Sequence, residues 1–194
     1  MVIVNSVSTI TDLDQVDIAN RISCDIQDLT KCISIGKTDL TILCQNIRSI
    51  YRNIDSLQAT LSLLKFEVDV LVLTECRLDK SKPIPQIPNY SYTALETTYN
   101  INQNDGVVIY AKSHLNLEFM EIKLKDASCI QLRILDLTIL GIYRSPSYSN
   151  ASEFIESLSA HLGNIKSYRN IVISGDINIH LIQCRNEQTT TNEQ

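Results

Sequence analysis

A carboxylate and an amide follow a buried strand near the end of this 194-residue sequence. In the stretch IVISGDINIH, from Ile171 to His180, apolar and mostly β-branched residues predict a strand, and Gly175, Asp176 and Asn178 follow at its end. Polar groups in that position lie at the rim of a sheet, where α/β folds place their chemistry. The alternative is a simple turn, which all three residue types favour.

Three further predicted strands also end in polar residues. The run DLTILCQN ends in Asn46, VDVLVLT is followed by Glu75, and LTILGIY delivers Tyr143 and Arg144 before Pro146 stops the strand. The alternatives are again ordinary: a turn-forming Asn46, a solvated carboxylate at Glu75 and a core tyrosine at Tyr143. Four strand ends of this kind together favour a functional site.

The elements between these strands explain how distant residues meet. Apolar residues at Ile50, Ile54, Leu57, Leu61 and Leu64 predict an amphipathic helix that Ser49 caps. The resulting β-α-β unit has parallel strands, so Asn46 and Glu75 share one edge of the sheet. Short consecutive strands over 115–143 imply hairpins and hence a mixed sheet. Asn150 and Glu153 resemble a capping box that opens a second helix.

Composition limits the class of protein. The chain is 44% hydrophobic and 20% charged, which allows one globular domain with a sizeable core. The residue pattern along the chain predicts that core over 39–182, an N-terminal extension over 1–38 and a disordered tail over 183–194. A net charge of −5 means that binding to a polyanion needs a local basic patch or a bound cation. The six cysteines form no Cys-x-x-Cys pair, and there is neither a signal peptide nor a long apolar run. We expect a soluble intracellular protein, in the nucleus or cytoplasm, without a membrane partner.

The motifs NIRSI, LTEC, GVVIY, IYRSPS and GDINIH resemble the endonuclease/exonuclease/phosphatase superfamily over about 39–182. Within it, the chain is most similar to the endonuclease domain of non-LTR, jockey-like retrotransposons, which precedes a reverse transcriptase. The resemblance implies a two-sheet mixed α/β sandwich, incomplete at the C-terminus. It also implies hydrolysis of a DNA phosphodiester with Mg²⁺, or with Mn²⁺ in its place, and a parent protein that carried a reverse transcriptase domain.

The resemblance also implies roles for six residues. Glu75 fits a metal ligand, because Mg²⁺ prefers oxygen donors, and Asn46 helps to position the metal or a phosphate oxygen. Asp176 matches the residue that orients or deprotonates the attacking water, and Asn178 the one that contacts the scissile phosphate. Tyr143 matches a tyrosine that donates a hydrogen bond to the phosphate. Arg144 is expected to contact a DNA phosphate.

The sequence departs from the family pattern in three places. Gln45 stands where an aromatic residue often precedes the Asn, and Cys76 where a small hydroxyl residue often follows the Glu. The terminal Ser-Asp-His motif does not occur, and His114, His161 and His180 are not placed to substitute for its histidine. The chain therefore looks like a partial or degenerate copy. A non-catalytic module that binds nucleic acid or protein, and a phosphatase for small phosphoesters, remain alternatives.

Overall fold

The computed structural model describes residues 2–4, 40–64, 66–88, 91–98, 105–165 and 170–179. The strands in these ranges are β1 (Val2–Val4), β2 (Ile42–Asn46), β3 (Val70–Thr74), β4 (Tyr92–Glu96), β5 (Val108–Lys112), β6 (Leu117–Leu124), β7 (Ala127–Ile134), β8 (Leu137–Arg144) and β9 (Ile171–Asp176). The helices are α1 (Ile50–Leu63) and α2 (Ser152–Gly163).

Two sheets form the molecule, and each contains one parallel pair of strands. The first sheet has the order β1-β2-β3-β5-β4, in which only β2 and β3 are parallel. The second has the order β6-β7-β8-β9, in which only β8 and β9 are parallel. Each parallel pair is joined through a helix, as such crossovers require. The predicted two-sheet mixed α/β sandwich is confirmed.

The apolar side chains fill three layers. The buried face of α1, formed by Ile50, Ile54, Leu57 and Leu61, packs on the outer face of the first sheet. A second cluster lies between the sheets, which approach closely at Gly141: a Cβ there would lie 2.9 Å from Ile109 Cδ1. A third cluster, around Phe154 of α2, covers the outer face of the second sheet. The layer order is therefore helix, sheet, sheet, helix.

Helix α1 begins where the sequence predicts, with Ser49 as its N-cap residue, but the details of both helix starts differ from the prediction. Ser49 makes no side-chain cap on α1, because its backbone lies at φ 94° and its N–H donates to Glu75 O at 2.8 Å. The predicted capping box at Asn150 and Glu153 is also wrong, since α2 starts at Ser152. Asn150 Oδ1 still accepts a hydrogen bond from Ser152 N at 2.9 Å, so it satisfies one donor of the first turn.

The N-terminus contributes a strand to the first sheet. Val2–Val4 pairs antiparallel with β2, although the sequence predicts an extension outside the core over 1–38. The remainder of that extension to residue 38, and the predicted tail over 183–194, lie outside the described residues. The domain boundaries therefore stay predictions.

Candidate active site

The two parallel strand pairs bring the predicted site residues to one edge of the sandwich. In the first sheet the register places Asn46 opposite Thr74, so Glu75 comes directly after the strand next to Asn46. In the second sheet Tyr143 lies opposite Asp176. Because β2 and β3 pack against β9 and β3 also packs against β8, the two pairs of strand ends meet.

The amide of Asn46 joins the two carboxylates of the site. Its Nδ2 donates to Glu75 Oε1 at 2.5 Å and to Asp176 Oδ2 at 3.3 Å. The second contact crosses from one sheet to the other, between residues that are 130 positions apart in the sequence. Asn46 Oδ1 is buried and has no hydrogen-bond partner among the described residues. One amide therefore positions two acids and leaves a carbonyl oxygen unused.

The turn that carries Glu75 is strained and held from both sides. Glu75 and Arg77 lie at φ 51° and 50°, a left-handed conformation that costs a residue other than glycine about 1–3 kcal/mol. Four backbone hydrogen bonds fix the turn: Ser49 N to Glu75 O, Ile50 N to Cys76 O, Cys76 N to Gly106 O and Arg77 N to Asp105 O, at 2.8 to 3.2 Å. Hydrogen bonds with the segments at 49–50 and 105–106 therefore fix the backbone from which the Glu75 side chain extends.

Tyr143 lies at the inner wall of the site. Its side chain is 2% exposed, and burial raises the pKa of the phenol to about 12, with smaller contributions from the Glu75 and Asp105 carboxylates. A side-chain hydrogen bond with Ser145 acts on this pKa in the opposite direction. The phenol is therefore protonated at neutral pH and is available as a hydrogen-bond donor.

Asp105 is an acidic residue of this site that the sequence reasoning missed. It is 4% exposed and lies close enough to Tyr143 to influence the pKa of its phenol. It stands just before β5, which runs antiparallel to β3. The start of an antiparallel strand lies at the same edge as the end of its neighbour, and this rule is the signal that could have found it.

Asn178 lies in the turn after β9. Its backbone is at φ 48°, its N–H donates to Asp176 Oδ1 at 3.3 Å, and its Nδ2 donates to Arg144 O at 2.9 Å. The residue as a whole is exposed. The structure thus brings together Asn46, Glu75, Tyr143, Asp176 and Asn178.

Arg144 is not on the surface. It is 1% exposed, and its guanidinium donates to backbone carbonyls of Tyr148, Asn150 and Asn178. A guanidinium enclosed in this way does not reach a DNA backbone unless the surrounding segments open, so the predicted phosphate contact does not fit the structure. The exposed cations beside the site are Arg48 and Arg77, each two residues after a site residue.

The structure can be compared with solved structures. The 3′ phosphatase NExo from Neisseria, solved with a product DNA hairpin, is 18% identical with a TM-score of 0.53, covering 71% of this chain and 57% of its own. The fold is of the endonuclease/exonuclease/phosphatase type. The endonuclease domain of TRAS1, a telomere-specific non-LTR retrotransposon, is 12% identical with a TM-score of 0.48, covering 73% of this chain and 61% of its own.

No family model and no curated protein matches the sequence. The chain spans less than two thirds of the length of either solved structure. What the likeness to the NExo structure shows is the fold alone.

Within the described residues, no histidine lies at this site. His161 lies on α2, where Nε2 is 2.9 Å from Gln131 Oε1 and burial lowers the pKa of the ring. His114 is exposed beyond the far end of β5, at the opposite edge of the sheet. His180 lies outside the described residues.

Two properties concern the described residues as a whole. They contain no cluster of three or more His, Cys, Asp or Glu side chains arranged to hold a metal ion. They also contain no helix with the length and apolar character that crossing a membrane requires.

Proposed function

We propose that this chain is a divalent-metal-dependent phosphodiesterase that acts on DNA, derived from a retrotransposon endonuclease that preceded a reverse transcriptase. The observation that carries the proposal is the Asn46 amide, which holds Glu75 and Asp176 together across the two sheets. Two acids and an amide at one rim are the hard oxygen donors that Mg²⁺ and Mn²⁺ take in proteins.

The donor set fits a metal ion in one further respect. Asn46 Oδ1 is buried without a hydrogen-bond partner in the described part of the chain, and such an oxygen normally costs stability unless a ligand or water satisfies it. Glu75 and Asn46 would hold the ion. When bound, the ion supplies positive charge that stabilises the negative charge developing on the phosphate.

The protein side chains then have separable tasks. The Asp176 carboxylate accepts a proton from, or orients, the attacking water. The Tyr143 phenol, protonated because its pKa is raised to about 12, donates a hydrogen bond to a phosphate oxygen. Asn178 presents its exposed amide to the same phosphate. General-base assistance of this kind contributes roughly 10²- to 10⁴-fold to a rate.

The DNA backbone contacts are assigned to Arg48 and Arg77 in place of Arg144. Both are exposed, and the hydrogen bond from Ser49 N to Glu75 O places their two turns side by side. Neither forms an ion pair with another described residue. In a chain of net charge −5, such a local pair of cations is the feature that phosphate binding needs.

The test is nicking of supercoiled plasmid with Mg²⁺ or Mn²⁺. We expect Glu75→Gln and Asp176→Asn each to reduce the rate at least 10²-fold, and Glu75→Gln also to weaken Mn²⁺ binding measured by calorimetry. Glu118→Gln is the matched control, because Glu118 is exposed on β6 and away from the site. Unchanged cleavage and Mn²⁺ binding in both site variants would contradict the proposal.

A second candidate is a non-catalytic DNA-binding module. The observation that favours it is the lack of a third acidic or histidine ligand in one cluster within the described ranges. It predicts that the protein binds DNA, that Arg48→Glu with Arg77→Glu abolishes this binding, and that no metal supports cleavage. Release of phosphate from a 3′-phosphorylated oligonucleotide, with intact plasmid inert, would instead assign a phosphatase.

A further inference from the structure

Arg144 is an arginine enclosed at the end of β8, and no acidic side chain among the described residues forms an ion pair with it. Its NH2 group donates to Tyr148 O at 2.5 Å and to Asn150 O at 3.0 Å, and its NH1 group donates to Asn178 O at 3.5 Å. The guanidinium carbon lies 5.8 Å from the centre of the Phe154 ring. Carbonyl dipoles and an aromatic face therefore compensate the charge.

This arrangement needs the shape of a guanidinium. Arg carries five donors in a rigid planar fork, whereas Lys places three donors on one flexible point. Only the fork meets carbonyls from the loop at 145–150 and from the turn at 176–178 at the same time. Enclosing a charge is costly unless its hydrogen bonds are made. The two terminal nitrogens of Arg144 make theirs, whereas Nε is buried without a partner among the described residues, so the charge depends on the carbonyls of those two segments.

Two hydrogen bonds join Arg144 and Asn178, one from the Arg144 side chain and one to its backbone carbonyl oxygen. While the guanidinium donates to Asn178 O, the side-chain Nδ2 of Asn178 donates to Arg144 O at 2.9 Å. Asn178 itself is held at φ 48°, a conformation that its surroundings must stabilise. The same turn carries Asp176, whose Oδ1 accepts the N–H of Asn178.

We infer that Arg144 is a positioning residue for the hydrolytic reaction: its guanidinium locks the turn at 176–178 onto the end of β8, which sets the direction of the Asn178 amide relative to Tyr143 and Asp176. This inference rests on the proposed function. Arg144 acts through Asn178 and does not touch the substrate.

Arg144→Lys and Arg144→Met test separately whether the planar guanidinium group or its positive charge is required. Lys keeps the charge and loses the fork, and Met keeps an apolar stem of similar length. Arg133→Met is the matched control, because Arg133 is half-exposed on β7 and lies 3.9 Å from the exposed Glu118 carboxylate. We expect both Arg144 variants to be impaired and the Arg133 variant to behave as the unmodified chain.

The first measurement is the side-chain amide resonance of Asn178 by NMR. We expect Arg144→Lys to shift this resonance and to accelerate its hydrogen exchange at least tenfold. Asn53 is the internal reference, since its Nδ2 donates to backbone carbonyls of Ile47 and Arg48 at 2.8 and 3.1 Å and not to Arg144. A folded Arg144→Lys protein with an unchanged Asn178 resonance overturns the inference.

The second measurement is single-turnover cleavage. We expect the rate constant at saturating protein to fall at least tenfold for Arg144→Lys, while the protein concentration that gives half of that rate constant stays within twofold. We expect millimolar guanidinium to restore part of the rate to Arg144→Ala. A lower melting temperature with cleavage and the Asn178 resonance preserved means that Arg144 serves stability alone, which also overturns the inference.

The two proposals fail in different ways. If the unmodified chain cleaves no substrate, the proposed function fails, whereas the Asn178 resonance still decides whether Arg144 fixes the turn. If the Arg144 variants do not fold, Asn178→Ala tests the same link, because it removes the donor that meets the backbone oxygen of Arg144 without adding a charge beside the guanidinium. A shift of the Arg144 side-chain N–H resonance then supports the link, and an unchanged resonance overturns it.

Discussion

Replacing Asn46 by aspartate should convert the site from a stabilised apo structure into one whose stability depends on a metal ion. The wild-type amide donates hydrogen bonds to both Glu75 and Asp176. Asn46→Asp has nearly the same shape, but it removes both donors and places a third carboxylate between the two acids. The perturbation is therefore electrostatic rather than steric.

The size of the effect follows from the contacts. The wild-type distances of 2.5 and 3.3 Å leave little room, and even after relaxation to about 4 Å each like-charge pair repels by about 4 kcal/mol at an effective dielectric of 20. Proton uptake limits the penalty, because protonating a carboxyl of ordinary pKa at pH 7 costs about 4 kcal/mol. We therefore expect Asn46→Asp to lower the free energy of unfolding by roughly 2–4 kcal/mol in EDTA at pH 7.

The sign of the pH dependence is also fixed. The repulsion raises the pKa of one carboxyl in the folded variant above its value in the unfolded chain, so the folded state binds an additional proton. The deficit is then largest at high pH and shrinks by up to about 1.4 kcal/mol per unit as the pH falls. A divalent ion at a hundred times its Kd stabilises the folded state by about 2.7 kcal/mol, and we expect the variant to gain more from the ion than the wild type does.

Urea unfolding in EDTA and in Mg²⁺ at several pH values measures these differences. Asn53→Asp is the matched control, because the Asn53 amide donates to the backbone carbonyls of Ile47 and Arg48 and, within the described ranges, to no carboxylate. If Asn46→Asp were as stable as the wild type in EDTA at pH 8, and gained no more than the wild type from Mg²⁺, the joined arrangement of Asn46, Glu75 and Asp176 would be refuted.

The further predictions concern Tyr143, Gly175 and three buried thiols. Tyr143→Phe should lower the cleavage rate by roughly 10²-fold, the typical cost of losing one such donor. Because the phenol pKa is raised from 10 to about 12, the stability that Tyr143 contributes should be lost as the pH rises above 10, and the difference in unfolding free energy from Tyr143→Phe should show this. Gly175→Ala should destabilise by about 3 kcal/mol or more in urea unfolding, since its φ is 144° and a Cβ would lie 1.8 Å from Ile142 O, whereas Gly163→Ala meets no atom within 4 Å and should be tolerated. The thiols of Cys44, Cys76 and Cys129 are buried with raised pKa values and should react with a thiol reagent only after unfolding; rapid modification of the native protein would contradict their placement.

The strand ends could be predicted because their signals are local. A buried strand reads as an apolar run, and the residue after it lies at a sheet edge, so Asn46, Glu75, Tyr143 and Asp176 could be named from the sequence. The parallel pairing that brings Asn46 beside Glu75, and Tyr143 beside Asp176, follows from the two β-α-β connections. None of this requires knowledge of how the two sheets pack.

The role of Arg144 could not be predicted for the opposite reason. The carbonyls that receive its guanidinium come from a loop and from a turn 34 residues further along the chain, and backbone carbonyls have no sequence signature. Ser49 is the N-cap residue that the sequence predicts, but it makes no side-chain capping bond, and its N–H donates instead to Glu75 O at the next strand end. Asp105 lies at the site because β5 starts at the sheet edge where its antiparallel neighbour β3 ends. This placement requires the pairing of the two strands to be known.

The site is assembled from two kinds of constraint with different consequences. Glu75 beside Asn46, and Asp176 beside Tyr143, are neighbours within one sheet, so hydrogen-bonded ladders fix each pair. The contact from Asn46 to Asp176 crosses between the sheets and depends on apolar packing, which is close where Gly141 meets Ile109. Packing between sheets changes in small steps when a core side chain changes, whereas a ladder changes register by a whole residue. Substitutions between the sheets should therefore tune the separation of the two acids while each strand pair stays intact.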